Sequence, residues 1–127
     1  MLLFACGRDP FAPGSEWLIG RWKFEEGGCW PEIVVTPETL GFSLEIDLAG
    51  NGTSEVRHDG SVVDRPRFTV RMLTFDFAPE GSLILEFDRD VIRSRKSFKV
   101  FRQESGGLGL ADYGITDACG FIFVRQP

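Results

Sequence analysis

The chain has 127 residues and a formal net charge of −5 at neutral pH. One domain is expected, and nucleic acid is disfavoured as a partner because its affinity rests on cationic side chains meeting phosphates. Aromatics make up 13% of the residues, 12 of them Phe, and 15 Gly and 7 Pro punctuate the chain, a composition suited to many short strands joined by turns. No apolar stretch approaches the ~20 residues of a membrane-spanning helix.

Met1-Leu2-Leu3-Phe4-Ala5-Cys6 forms an apolar run, and a polar, Pro-containing stretch follows it to Gly14. Ending in Leu-x-Ala-Cys, it resembles the close of a bacterial lipoprotein signal, which implies a lipid on Cys6 and a tether over residues 7–14. Only five residues precede Cys6 and none is basic. The segment is therefore either the end of a longer leader or an apolar terminus with a chance Cys. Residues 1–14 are assigned to signal remnant and tether, and residues 15–127 to the folded domain.

Trp17 to Glu25 is predicted as the first strand. A longer connection follows to Leu40, with room for a helical turn near Thr36-Pro37-Glu38 and a short strand at Ile33-Val34-Val35. Phe42, Leu44, Ile46 and Leu48 alternate with polar residues, the period-2 signature of a half-buried strand. Asn51-Gly52 then reads as a tight hairpin, since both residues tolerate positive φ. Thr53 to Arg57 runs back, His58-Asp59-Gly60 turns, and Ser61 to Asp64 leaves it, interrupted at Pro66. Phe68 to Phe77 comes next, with Leu73, Phe75 and Phe77 on one face. Pro79-Glu80-Gly81 is read as the turn into Leu83 to Phe87. Asp88 to Lys96 is a charged loop, and strands follow at Phe98 to Arg102, Leu108 to Leu110 and Phe121 to Arg125. Such short antiparallel strands predict an all-β, up-and-down barrel of about eight strands.

Gly20-Arg21-Trp22 in the first strand and Arg125 at the end of the last resemble the Gly-x-Trp motif and closing Arg of the lipocalins. Thr36-Pro37-Glu38, Gly52-Thr53, Leu110-Ala111-Asp112 and Asp117-Ala118-Cys119-Gly120 extend the resemblance to the small bacterial lipocalin-like lipoprotein domains, over about Leu18 to Arg125. The resemblance implies that Arg125 lies across Trp22 and closes the barrel floor. It also implies an activity of binding.

First and last strands are neighbours in a closed barrel, so Cys29 and Cys119 are expected to meet as a disulfide in an oxidising compartment. Phe42, Leu44, Ile46, Val56, Phe68, Phe75, Leu85, Phe98, Val100, Phe121 and Phe123 are expected to point inward. In an eight-stranded barrel they either line a pocket or fill it. His58 reads as a solvated turn residue, and Asp112 and Asp117 beside Tyr113 as turn-fixing carboxylates rather than a cation site or an acid/base pair. Arg89, Arg93, Arg95 and Lys96, offset by Asp88 and Asp90, read as a solvated loop. No nucleophile elbow, phosphate loop or His/Cys/Asp metal set is present, so neither catalysis nor a metal or cofactor is expected. The expected function is that of a monomeric, lipid-anchored protein of the bacterial envelope, in the periplasm or at the outer membrane, binding a small apolar molecule. The alternative is an interaction module with a side-chain-filled barrel, contacting an envelope protein.

Overall fold

The computed structural model describes residues 11–29, 33–75, 78–113 and 119–127. Cys6, the tether before Phe11, Phe77 and Asp117 lie outside them. The fold is an antiparallel up-and-down sheet that curls into a half-barrel. Its strands are β1 (Gly20–Cys29), β2 (Ile33–Val35), β3 (Leu44–Leu48), β4 (Ser54–His58), β5 (Ser61–Asp64), β6 (Phe68–Phe75), β7 (Ala78–Phe87), β8 (Ser97–Arg102), β9 (Leu108–Asp112) and β10 (Cys119–Arg125). Their order is β5-β4-β3-β1-β10-β9-β8-β7-β6, with β2 paired to the end of β1. First and last strands lie side by side, as expected.

The two ends of this order are consecutive in the chain. β5 and β6 are the halves of one run bent at Pro66, where the missing amide proton of proline ends a ladder at no cost. The bend is tied to the β3–β4 turn: the Ser54 amide donates to the Pro66 carbonyl at 3.0 Å and the Phe68 amide to the Gly52 carbonyl at 2.9 Å. The buried Ser54 hydroxyl adds a bond of 2.6 Å to the same Pro66 carbonyl. The bent run thus pairs with β4 through its first half and with β7 through its second. Counted as one strand, with β2 set aside, it leaves eight around the curl.

Several local expectations are corrected. Trp17 is not in the first strand; Glu16–Leu18 forms a 3-10 turn before it, and β1 runs on to Cys29. The left-handed hairpin turn is Asp59-Gly60, with φ of 53° and 85°, whereas only Gly52 of Asn51-Gly52 has positive φ. Instead Asn51 accepts from the Thr53 amide at 3.1 Å and hydroxyl at 2.6 Å, the side-chain turn that Asn favours. Pro79-Glu80-Gly81 lies within β7 beside a register shift opposite β6, and Phe75 pairs with Ala78. Thr36 caps the short helix α1 (Pro37–Leu40) with a capping box, which accounts for the Thr-Pro-Glu sequence.

The core is aromatic. Phe24, Phe87, Phe98, Phe121 and Phe123 are fully buried, and their rings meet edge to face with centroids 5.6–6.4 Å apart. That geometry sets the positive edge of one ring on the negative face of the next. Among the described residues no helix is long and apolar enough to cross a membrane.

Candidate functional site

The ladder between β1 and β10 carries the residues singled out from the sequence. Trp22 stands opposite Arg125 near one end, and Cys29 opposite Cys119 at the other.

At the first end the Arg125 guanidinium lies 4.2 Å from the centroid of the Trp22 ring. It also donates to the Ile19 carbonyl at 3.0 Å and to the Trp17 carbonyl. Trp22 is fully buried, and its indole N–H reaches the Leu18 carbonyl at 2.9 Å. Trp17 packs edge-on against Trp22 at 6.3 Å and carries Arg102 on its own face at 5.1 Å. Gly20 explains the first letter of the motif. Its φ is 138°, and any Cβ there would overlap the Arg125 guanidinium. Removing the side chain makes room for the cation, and the cation seals the indole. The pair ties the end of β10 to the turn that precedes β1.

At the second end Cys29 and Cys119 form a disulfide between residues directly opposite in neighbouring strands. Asp112 braces it. Its fully buried carboxylate accepts from the Cys119 amide at 2.7 Å and sits 2.6 Å from Arg95 Nε, whose side chain is 18% exposed. The Asp112–Arg95 contact is close without the alignment of a hydrogen bond, so it acts as an ion pair. Arg95 is therefore no solvated loop residue: it pins the connection between β7 and β8 to the end of β9. Ile92 of the same connection is buried in the core. No spacing in the sequence links Arg95 to Asp112; the only signal was an Asp next to the Cys-containing loop.

Among the inward candidates, Leu44, Ile46, Val56, Phe68, Leu85, Phe98, Val100, Phe121 and Phe123 are buried. Phe42 is only partly buried and stacks on His58, with centroids 3.7 Å apart and planes at 17°; the turn histidine has a ring partner that its sequence position did not reveal. The Phe75 side chain lies outside those described. Phe24, Val70, Leu108 and Leu110 are further core residues that the sequence reading missed, and Phe87 is buried on the same face as Leu85.

Arg89 is balanced by Asp88 at 3.1 Å, as expected, and by Asp64 at 3.1 Å, which its sequence position did not suggest. Tyr113 is half-buried. Among the described residues no group of three His, Cys, Asp or Glu is placed to hold a metal ion.

The larger clefts open at the surface. One of about 500 Å³ lies at the Pro66 bend, lined by Asn51, Gly52, Arg67, Phe68, Thr69, Glu86, Phe87, Asp88 and Lys96. A second, of about 540 Å³, runs along the outer side of β1 beside α1. Comparisons with protein families, with curated proteins and with solved structures give no match.

Proposed function

We propose that this chain is a lipocalin-like module of an extracytoplasmic, oxidising compartment, held at a bacterial envelope through Cys6, that acts through its outer surface. The observation that carries this reading is the packing of the interior. Phe24, Phe98, Phe121 and Phe123, with Phe87, are fully buried and meet edge to face in the core, where an enclosed ligand would have to lie. The disulfide supports the compartment, because such bonds persist where thiols are not kept reduced. The apolar run ending at Cys6 supports the anchor.

A neutral fluorescent probe, N-phenyl-1-naphthylamine, tests the filled interior. Wild type should give no saturable signal, whereas a Phe98→Ala variant, which opens a cavity among these rings, should take the probe up. Saturable one-to-one uptake by wild type overturns the surface reading and favours an apolar ligand in the barrel. For the anchor, fatty-acid labelling of the full-length gene product should be lost in Cys6→Ser. Equal labelling of both proteins removes the lipid claim.

A further inference from the structure

The cleft at the Pro66 bend has an uneven charge inventory. Two of its lining residues are anions and two are cations, but they are not equally engaged. Glu86 accepts from the Ser97 hydroxyl at 3.0 Å and lies 3.9 Å from Arg71, on the neighbouring strand. Asp88 accepts from the Arg67 amide at 3.2 Å and is paired with Arg89 at 3.1 Å. Hydrogen bonding from Arg89 holds the Asp88 carboxyl below its ordinary range, so it stays ionised. Arg71 and Arg89, the counterions of these carboxylates, are not lining residues of the cleft.

The cations differ. Among the described residues neither the Arg67 guanidinium nor the Lys96 ammonium has an ion-pair partner. Asn51 is spent as an acceptor on the Thr53 amide and hydroxyl, which leaves its amide N–H₂ as a donor. Thr69 adds a hydroxyl. The two anions of this concavity are thus each paired with a cation outside its lining, while its own two cations have no ion-pair partner among the described residues. An oxyanion is the complement of such a set, with Arg supplying a planar fork and Lys a point charge.

We propose that this cleft binds a phosphate group, carried either by a soluble phosphate monoester or by an anionic lipid headgroup. The proposal deepens the surface reading by naming the chemistry that one part of the surface holds. Two buried core rings, Phe68 and Phe87, are among the cleft's lining residues, whereas neither Trp22 nor Arg125 is.

The test uses the folded, oxidised protein, labelled with ¹⁵N and titrated with glycerol 3-phosphate at low ionic strength, where exposed charges are least screened. The amides of Asn51, Gly52, Thr69 and Lys96 should shift saturably. Lys96→Ala and Arg67→Ala should each weaken binding about fivefold, the scale of an exposed ion pair, with the rest of the spectrum unchanged. Co-sedimentation with phosphatidylglycerol vesicles forms the second arm, with phosphatidylcholine vesicles as the control. Binding to anionic vesicles that both substitutions abolish assigns the phosphate to a headgroup; glycerol phosphate binding without vesicle binding assigns it to a soluble compound. No shifts and no sedimentation, or binding indifferent to both substitutions, overturns the site. The naphthylamine result stands apart from these: interior uptake sinks the surface reading and leaves the shifts in place, while a silent titration sinks only the cleft.

Discussion

The two ends of the β1–β10 ladder are fastened by different chemistry. Near one end a cation on an indole face holds the strands, helped by two carbonyls that the same guanidinium reaches. At the other a covalent bond does so, braced by a buried carboxylate. The first fastening is non-covalent and is indifferent to redox conditions. The second exists only where thiols oxidise. The same ladder is thus secured once for any compartment and once for a particular one.

Breaking the covalent end should have the largest effect. Cys29 and Cys119 are 90 residues apart, and in the chain-entropy model a loop of that length is worth about 4–5 kcal/mol. Replacing both by Ser should cost up to that amount in urea unfolding, and dithiothreitol should move wild type by a similar amount. An unmoved midpoint under reductant would show that the bond does not stabilise the fold. Short of the transition, Trp22 emission should stay that of a buried indole, because its closure does not use the disulfide.

Asp112→Ala comes next, at about 3 kcal/mol. It strips the acceptor from the Cys119 amide and leaves Arg95 without its counterion. Breaking a buried pair at one partner costs about 3–5 kcal/mol, and the partial exposure of Arg95 favours the low end. Asp112→Asn, which keeps an acceptor and drops the charge, should lose less. Equal losses would mean that the charge is irrelevant and the hydrogen bond carries the whole effect.

The other end is tested by a cycle. Gly20→Ala should cost about 2–3 kcal/mol, part from a φ that L residues avoid and part from overlap with Arg125. Arg125→Ala alone should cost about 1–2 kcal/mol and shift Trp22 emission to the red. In the Arg125→Ala background the Gly20 substitution should become cheaper, since only the backbone strain remains. Additive losses would show that the glycine is there for its backbone and not to seat the guanidinium.

This difference between the ends also marks what the sequence made readable. The Trp22–Arg125 contact was legible only through the resemblance of Gly20-Arg21-Trp22 and Arg125 to the lipocalin pattern, whereas the inward face of β3 followed from its alternation. The disulfide followed from the adjacency of first and last strands. Arg95–Asp112 was not legible, because a pairing between a loop and a distant strand end leaves no periodicity behind. The hairpins misled for a related reason. Asn51-Gly52 and Asp59-Gly60 carry the same local signal, yet Asn51 turned its side chain to Thr53 and only Asp59-Gly60 took the left-handed pair of conformations. Pro66 was read as an interruption, and its larger consequence, one strand shared by both edges of the sheet, comes from pairing that only the tertiary fold defines.

A third fastening, at that bend, is ionic and so completes the comparison. Arg89 joins Asp64 of the edge strand β5 to Asp88 at the end of β7, the neighbour of the other edge, from the solvent side. Its hydrogen bond to Asp88 is the main cause holding that carboxyl below its ordinary value, with smaller help from the Arg67 amide and the charge of Arg89. A carboxyl depressed on folding contributes stability that is present above its unfolded pKa and is lost as pH falls through the folded value. The acid limb of wild type should therefore show this loss below about pH 4. In Arg89→Gln the Asp88 carboxyl, followed by NMR, should titrate higher, and the difference in stability between the two proteins should shrink as pH falls through the Asp88 range. Because both groups are exposed, salt should reduce the difference at every pH. A difference that survives acid and salt unchanged would mean that Arg89 packs at the bend and that its charge does nothing there, leaving the bend to the Ser54 and Phe68 bonds that tie it to the β3–β4 turn.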